Sequence, residues 1–290
     1  MSSKSVKKWL AFAVVIAVIL GVIAWIYRPD DKVHVYFLDV GQGDATLIRQ
    51  GSLDILIDGG PSPQAIDTEL GKRLPFWDRS IEMVVMTHPH ADHLAGLVEV
   101  LSRYHVGEVL YPALATSDEG EYDKPLFDEW LRLIQEKNIK SVLVQAYQEL
   151  SLGDIIMDVL NPPATPLSGT ESDVDNNGVV LQVRYGDVSF LVTGDLMQEG
   201  EQQLEYERLL PQSTVLKVAH HGSDTSTTDE FLNVLIPQIA VISVGQNDYG
   251  LPTAEVVDRL AGRLGVNNIY RTDEDGTIEF ITDGRRLWIK

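Results

Sequence analysis

The stretch of residues 87–93, THPHADH, constrains this chain more than any other. It holds three of the seven histidines and one aspartate, and it follows the apolar run 81–86. Imidazole and carboxylate groups are common ligands of divalent ions such as Zn²⁺ and Mn²⁺. Successive side chains of a strand point to opposite faces, so these groups can converge only from a loop. The stretch therefore predicts a metal-binding loop at a strand end; the alternative is a polar loop with incidental histidines.

Other polar residues also follow apolar runs, namely Asp58, Asp195, His220 and His221. Ligands at the ends of core strands can converge at one edge of a sheet. A single aspartate placed between two divalent ions can bridge them. We predict that Asp195, His220 and His221 join the histidine loop in one site. The alternatives are a turn residue for Asp195, a surface pair for the histidines and a simple strand end for Asp58.

The N-terminal region predicts a membrane anchor. Residues 9–27 contain no charged side chain, and at about 1.5 Å per residue a helix of this length crosses the hydrocarbon core. Three lysines precede the run, whereas one arginine and two aspartates follow it. The positive-inside rule then puts the N-terminus in the cytoplasm and the rest outside. The alternatives are a cleaved signal peptide, which usually has a shorter apolar region ending in small residues, and a buried core helix.

We therefore expect a cytoplasmic tip and signal-anchor in residues 1–28 and one folded domain in residues 29–290. The chain carries a formal charge of −20, and its first 28 residues hold four basic and no acidic side chains, so the domain carries about −24. Such a surface repels nucleic acid unless metal ions or a local basic strip compensate. The absence of cysteine excludes a disulfide framework, a cysteine zinc site and a thiol nucleophile.

The order of apolar segments predicts two sheets with helices outside. Three strand-like runs with hairpin spacing, at 34–40, 45–49 and 54–58, precede any helix. Strands and helices then alternate, and a hairpin turning at Gly186 and Asp187 opens a second series of this kind. We predict an α/β (α+β) fold with two sheets packed face to face and a long polar loop before residue 177. The predicted helices span 65–74, 94–101, 125–137, 199–210, 228–235 and 255–264.

Together these motifs resemble those of the metallo-β-lactamase superfamily. They are His88-x-His90-x-Asp92-His93, Thr193-Gly194-Asp195 and His220-His221-Gly222-Ser223. Residues 35–44, VYFLDVGQGD, and segments within 243–276 further resemble the C-terminal domain of the ComEC/Rec2 DNA-uptake proteins. The match runs from about residue 33 to the C-terminus. The resemblance implies an αββα sandwich, behind the single transmembrane helix, with a hydrolase centre of one or two metal ions.

The resemblance also implies roles for individual residues. The first metal ion would be bound by His88 and His90, and the second by Asp92 and His93. Asp195 matches the bridging ligand. One of the two adjacent histidines completes the second site and the other faces the substrate. We place His221 among the ligands and keep both His220 and His221 as catalytic candidates. Supporting roles fall to Asp58, Asn177, His220 and Ser223.

Two departures from the family pattern stand out. Many members have a further metal-binding histidine before the bridging aspartate, but the one histidine in that interval, His105, comes too early and is interpreted as structural. The missing ligand would then be water or one of Asp173, Asp175, Asn176 and Asn177. Second, ComEC-like sequences usually read Tyr-Gly-His-Pro where this chain has Leu251, which can neither bind metal nor carry a proton.

The chemistry implied is hydrolysis. A bound metal ion lowers the pKa of its water to about 7, giving a hydroxide that can attack a phosphodiester without a side-chain nucleophile. Asp92 or Asp195 would orient the water, and His220 or His221 would protonate the leaving oxygen. Ser223 lacks the context of a nucleophile elbow and is interpreted as a supporting residue.

Three functions follow as hypotheses. The first is a membrane-anchored phosphodiesterase acting outside the cytoplasm, plausibly on single-stranded DNA. The second is an envelope hydrolase of the same fold acting on a choline ester or a lactam, since substrate choice depends on loops. The third is a non-catalytic, metal-stabilised binding module, which Leu251 and the missing histidine favour. The expected cofactor is Zn²⁺ or Mn²⁺, one or two ions per chain, and the sequence identifies no protein partner.

Overall fold

A computed structural model describes residues 9, 12–18, 21–22, 30–113, 120 and 122–290. The chain divides into two units, Met1–Asp31 and Lys32–Lys290. In the first unit residues 12–18 are helical, and much of the predicted anchor at 9–27 lies outside the described residues. Over the described positions, no helix combines the length and the apolar character that a membrane crossing requires. The anchor and the boundary at residue 28 therefore stay predictions.

The unit Lys32–Lys290 contains strands and helices that are numbered here in chain order. Its described strands are β1 Val33–Phe37, β2 Thr46–Gln50, β3 Leu53–Ile57, β4 Ser80–Val85, β5 His105–Pro112, β6 Lys140–Val144, β7 Gln148–Leu152, β8 Ile155–Asn161, β9 Val180–Tyr185, β10 Val188–Val192, β11 Val215–Lys217, β12 Ile239–Ile242, β13 Ile269–Arg271, β14 Ile278–Thr282 and β15 Leu287–Ile289. Its described α-helices are α1 Pro63–Arg73, α2 Ala91–Arg103, α3 Lys124–Glu136, α4 Asp173–Asn176, α5 Gln198–Tyr206, α6 Asp229–Leu235, α7 Ala254–Leu264 and α8 Thr272–Asp275. Two short 3₁₀ turns are Ala219–Gly222 and Val266–Asn268.

The strands form two sheets of similar design. The first has the order β15-β14-β1-β2-β3-β4-β5-β6, and the second has the order β13-β12-β11-β10-β9-β8-β7. In each sheet, hairpins connect antiparallel strands, as in β1–β2–β3 and β9–β10, and helices connect parallel strands, as in β3–β4–β5 and β10–β11–β12. This is the repeated arrangement predicted from the order of apolar segments.

Three hydrophobic clusters define four layers. Between the sheets, the Phe280 ring meets the rings of Phe37 and Phe190 edge to face at centroid distances of 5.8 and 5.9 Å. A second cluster lies between the first sheet and α1–α3 and includes Trp130; a third lies between the second sheet and α5–α7 and includes Phe231. The predicted αββα sandwich is confirmed.

Strand β3 shows how the sequence produces these layers. Ile55 and Ile57 lie in the cluster between the sheets, whereas Leu56 lies in the cluster beneath the helices. Successive side chains of a strand point to opposite faces, so a strand covered on both sides must be apolar at every position. Burying each such side chain contributes roughly 1.5–3 kcal/mol, which makes these central strands the stable part of the scaffold.

The predicted helices are all present, with differences at their ends. The helix predicted at 199–210 ends at Tyr206. Strand β7 was not predicted, because it is a polar strand at the edge of its sheet with no fully buried position. Helix α4 lies within the stretch predicted as a loop; the Ser172 hydroxyl accepts a hydrogen bond from Asp175 N and so starts the helix.

Buried Asp54 yields a prediction about stability and pH. Its Oδ1 accepts a 2.6 Å hydrogen bond from Arg49 Nε. Burial raises the pKa of Asp54 to about 6; Arg49 opposes the increase, and Glu82 adds to it. The pKa in the unfolded chain is about 3.9, so the folded state binds more protons between about pH 4 and pH 6. The free energy of unfolding should therefore fall, by at most about 3 kcal/mol, as the pH rises through this window.

The variant Asp54→Asn should lack this pH-dependent contribution to the free energy of unfolding. It also leaves Arg49 without its carboxylate, but that cost is nearly independent of pH over the window. Urea unfolding of both proteins at intervals from pH 4 to pH 7 measures the difference. Parallel pH profiles for the two proteins would show that the pKa of Asp54 is not raised.

Candidate metal centre

The candidate site lies where four strands finish. Asp58 directly follows β3, and His88 is the third residue after β4; Asp195 comes after β10 and His221 after β11. β3 and β4 are parallel neighbours in one sheet, as are β10 and β11 in the other. A 2.8 Å hydrogen bond from Val179 N to Thr87 O joins the two sheets at this end. We call the end of the sandwich that carries these residues the distal end.

One group of potential ligands comprises Asp92, His93, Asp195 and His221. His221 Nε2 lies 3.1 Å from Asp92 Oδ2 and 3.4 Å from Asp195 Oδ2. His93 Nε2 lies 3.3 Å from the same Asp195 oxygen. The histidines and Asp195 are buried, whereas the Asp92 side chain is 33% exposed. The group therefore opens to solvent beside Asp92.

A second group comprises His88, His90 and Asp175. Asp175 Oδ1 lies 3.3 Å from His88 Nε2 and 3.1 Å from His90 Nδ1. Four side chains were considered for the missing ligand. Of these, Asp175 is the one that lies against the histidine loop. Like the further histidine of the family pattern, Asp175 lies between the histidine loop and Asp195 in the sequence.

Asp195 connects the two groups. Its Oδ2 lies 3.3 Å from His93 Nε2, 3.4 Å from His221 Nε2 and 3.9 Å from His88 Nε2. One carboxylate oxygen is therefore surrounded by ring nitrogens from both groups. This is the placement expected of a ligand shared by two ions.

The donor atoms themselves indicate that a cation fits. Four of them are buried and make no hydrogen bond within the described part of the chain: His88 Nε2, His93 Nε2, Asp175 Oδ1 and Asp195 Oδ1. Buried polar atoms without a partner are costly and rare in folded proteins. Nitrogen and carboxylate donors together suit Zn²⁺ or Mn²⁺. These residues could therefore hold one or two divalent ions.

Asp58 holds the histidine loop in place. Its Oδ1 accepts a 2.8 Å hydrogen bond from Thr87 N, and its Oδ2 accepts one of 2.6 Å from Thr87 Oγ1. The same Oδ2 lies 2.9 Å from His93 Nδ1. A carboxylate that is hydrogen-bonded to Nδ1 fixes the orientation of the imidazole ring and leaves Nε2 directed at the site. The structure therefore places Asp58 behind the site, where it supports the loop.

Close backbone packing also positions His93. A methyl group on Gly96 of α2 would lie 1.8 Å from Gly59 O, and one on Gly59 would lie 2.4 Å from Leu97 N. Only glycine at both positions lets α2 approach the end of β3 this closely. His93 O accepts a 2.8 Å hydrogen bond from Gly59 N across the same contact.

A buried ion pair behind the site was missed by sequence reasoning. Lys217, 1% exposed, lies in β11 and forms an ion pair with Asp44, while its Nζ donates a 3.0 Å hydrogen bond to Gly194 O. Nζ also lies 3.9 Å from Asp195 Oδ1. A lysine within the apolar run 215–219 was the available signal, because lysine is almost never fully buried without a partner.

The histidine pair lies in a strained turn. His220 and His221 have φ values of 49° and 52°, in the left-handed region that favours glycine. Such a conformation costs about 1–3 kcal/mol per residue and is concentrated at functional sites. It separates the two rings: His221 joins the potential ligands, whereas the half-buried His220 directs Nδ1 to Thr225 Oγ1 at 3.0 Å. Thr225 Oγ1 donates in turn to Ser223 Oγ at 2.9 Å.

The ring and carboxylate charges are strongly coupled. Burial alone would lower the pKa of His93 and His221, but Asp195 and other carboxylates raise both values well above the usual range. Burial would raise the pKa of Asp195, and His221 and His93 instead hold it well below its usual range. Burial lowers the pKa of His88 well below its usual value, and nearby His93 adds to this. A cation binding here must displace protons from His93 and His221, so its affinity should fall as the pH falls.

The remaining predicted residues lie outside the two groups. Asn177 Nδ2 donates to Leu167 O (2.9 Å) and to Asp173 O (2.7 Å), which closes the loop before α4. Asn176 Oδ1 accepts from Gly200 N (2.9 Å) in α5. His105 is exposed at the start of β5, far along the sheet from the histidine loop.

Leu251 also lies outside the two groups. Its partly buried side chain packs against the hydrophobic cluster beneath α5–α7. Its backbone N donates a 3.1 Å hydrogen bond to Asn247 Oδ1. Leu251 therefore has a packing role where ComEC-like sequences usually have histidine.

Comparison with known proteins identifies the class. The model of the metallo-β-lactamase superfamily matches residues 38–246, and the chain therefore belongs to that superfamily. The solved structure of CmlA, a diiron β-hydroxylase from Streptomyces venezuelae, shares the fold, with a TM-score of 0.57 at 16% identity over 88% of this chain and 54% of that one. The fold is thus the metallo-β-lactamase fold, and it carries two candidate metal-binding groups.

Two of the curated relatives are competence proteins. ComE operon protein 3 of Bacillus subtilis (strain 168) is 30% identical over 268 residues, which are 85% of this chain and 33% of that protein. Competence protein ComA of Neisseria gonorrhoeae is 30% identical over 258 residues, 87% of this chain and 33% of that protein. The resemblance to the ComEC/Rec2-like branch is confirmed, and the chain spans about a third of the length of these relatives.

Asp175 provides a direct test of the second group. Replacing it with alanine should lower the affinity for one of the two ions about 10–100-fold, since a carboxylate donor is lost. Asp175→His should recover part of that affinity, because imidazole can donate from the same position. Calorimetric titration of the metal-stripped full chain with Zn²⁺ or Mn²⁺ measures both.

Asp173→Ala is the matched control. This carboxylate caps the neighbouring loop by accepting from Thr170 N at 2.8 Å and from Gly169 N at 2.9 Å. Both variants thus disturb the same segment, and only Asp175→Ala removes a donor from the site. Equal affinities in the wild type and Asp175→Ala would show that Asp175 is not a ligand.

Proposed function

We propose that this chain is a membrane-anchored, metal-dependent phosphodiesterase that acts outside the cytoplasm, with single-stranded DNA as its substrate. Its superfamily and its competence relatives support hydrolysis linked to DNA. The lysines before the apolar run 9–27 support the anchor and its orientation. The acidic surface argues against general DNA binding, so recognition would depend on the metal centre itself.

The observation that carries the proposal is the position of Asp195 between the two ligand groups. One group would hold an ion through His88, His90 and Asp175, and the other through Asp92, His93, His221 and the shared Asp195. Divalent ions so bound would supply activated water and neutralise charge on a phosphodiester. Two neighbouring ions match the demands of in-line displacement at phosphorus.

The residues of the chain would divide the remaining tasks. Asp92, partly exposed at the mouth of the site, would orient the attacking water, together with Asp195. His220 is held at Nδ1 by Thr225, and in its protonated form it would donate the Nε2 proton to the leaving oxygen. The Ser223 hydroxyl accepts from Thr225, and among the described residues no histidine or carboxylate bonds it directly, which argues against a serine nucleophile.

The test uses the full chain in detergent micelles with Mn²⁺ or Zn²⁺ added. We expect end-labelled single-stranded DNA to be cleaved and a chelator to stop cleavage. A choline ester and a β-lactam are assayed beside it, as substrates of the envelope hydrolase. Turnover of either with DNA left intact would replace the nuclease proposal. Metal binding without turnover of any substrate would favour the binding module, consistent with the packing role of Leu251.

A further inference from the structure

The chain enters the folded unit at the end of the sandwich opposite the metal centre. β1 begins at Val33, which pairs with Gln50 of β2 and Thr282 of β14. The other end of β1, Phe37, pairs with Thr46 beside the metal centre. We call the end that begins at Val33 the proximal end. Chain entry and metal centre are therefore separated by the full length of the strands.

Strands of the second sheet also begin at the proximal end. Asp187 N donates a 2.6 Å hydrogen bond to Gly284 O, so the β9–β10 turn meets the β14–β15 turn. Gln50 Nε2 donates to Asp154 Oδ2 at 2.9 Å, which joins the β2–β3 and β7–β8 turns. Since β11, β12 and β13 run parallel to β10, they begin at this end too.

Large apolar side chains are exposed in several loops of the proximal end. Phe76 and Trp77, just before β4, are 71% and 53% exposed, and their rings meet edge to face at 4.7 Å. Ile236 and Val266, just before β12 and β13, are 59% and 71% exposed. Single exposed apolar residues need no explanation, but such residues from separate loops at one end indicate an interaction surface.

Charged side chains of both signs accompany this surface, and the exposed Asp187 and Asp283 lie in its turns. Arg79 follows the aromatic pair, and Arg285 and Arg286 lie in the β14–β15 turn; all three are exposed. The chain as a whole carries −20, so most of its surface would be repelled by anionic lipid. Aromatic rings beside guanidinium groups are the composition that favours the headgroup region of a bilayer.

The segment between the apolar run and β1 is short, and its length indicates what covers the proximal end. Residues 28–32 separate the apolar run 9–27 from β1, and five residues span at most about 18 Å when fully extended. We propose that the proximal end rests on the lipid bilayer, with Phe76, Trp77 and Val266 at the level of the headgroups. This inference rests on the proposed membrane anchor. A bilayer explains both the apolar side chains and the arginines of this end.

The consequence concerns access to the metal centre. Strands of five to eight residues, as in β1 and β5, span about 15–25 Å at roughly 3.3 Å per residue. The distal end therefore faces away from the bilayer. Substrate would reach Asp92 and His220 from the aqueous side rather than from the membrane surface.

The absence of cysteine makes a direct test possible. Phe76→Cys and Val266→Cys, one for each sheet, are labelled separately with an environment-sensitive fluorophore in the full chain. Tyr249→Cys is the matched control, since Tyr249 is 80% exposed and follows the distal end of β12. Each labelled chain is reconstituted into vesicles of phosphatidylcholine and phosphatidylglycerol, with or without a lipid that carries a headgroup-level quencher.

We expect the quencher to lower emission at least about twofold at both proximal positions and to leave the Tyr249→Cys label unchanged. Flotation with the vesicles is measured first. A chain that does not float overturns the inference together with the anchor. A chain that floats while its proximal labels remain unquenched, or are quenched no more than the control, overturns the inference alone. The readout involves no catalysis, so failure of the nuclease proposal is recognised separately.

Discussion

Replacing Asp195 with asparagine is expected to lower metal-dependent hydrolysis at least about 100-fold, since losing even a group that only hydrogen-bonds a metal ligand costs about 10–100-fold. Asp195 Oδ2 lies within 3.9 Å of ring nitrogens from His88, His93 and His221. An amide cannot supply the negative charge that two neighbouring cations share. The variant should therefore bind fewer than two ions per chain, or bind both more weakly.

Metal content by mass spectrometry and calorimetric titration measure the effect on binding, and DNA cleavage measures the effect on activity. Asp187→Asn, in the exposed β9–β10 turn, makes the same chemical change away from the site and should leave both unchanged. If Asp195→Asn kept two ions and full activity, Asp195 would not be a shared ligand, and the two-ion proposal would fail.

The second large effect concerns stability. Lys217→Met should lower the free energy of unfolding by about 3–5 kcal/mol, because it breaks a buried ion pair by removing one partner. Burial alone would raise the pKa of Asp44, but Lys217 and His221 outweigh it and hold the pKa below its usual value. Methionine has a similar shape and length, so most of the loss is electrostatic rather than a packing defect.

A double-mutant cycle isolates this pair. Asp44→Asn combined with Lys217→Met should cost clearly less than the sum of the single changes, since neither then leaves an isolated charge. Lys140→Met is the matched control: its pair with Glu108 lies at the surface, with 71% of the lysine side chain exposed, and should contribute at most about 1 kcal/mol. Denaturant unfolding of the metal-free full chain is measured for the wild type and for the four variants. If Lys217→Met and Lys140→Met lowered the free energy of unfolding equally, the buried pair of Lys217 and Asp44 would not be a major source of stability.

Much of the scaffold could be predicted because it depends on local patterns. Apolar runs such as 55–57 fit strands covered on both faces, and the turn at Gly186 and Asp187 fits a hairpin. Those patterns led to two sheets with helices outside. Strand β7 was missed because an edge strand needs no apolar face.

The sequence by itself determined the histidine loop and the strand ends that carry Asp195 and His221, because these combine residue type with local strand pattern. Only the tertiary structure shows how the two adjacent histidines separate, with His221 among the potential ligands and His220 against Thr225, since that depends on a strained turn with positive φ. It alone placed Asp175 against a loop about 85 positions earlier in the chain, and Lys217 against Asp44. Such contacts arise from the packing of two sheets, and no local propensity encodes the distance between residues that are so far apart in the chain.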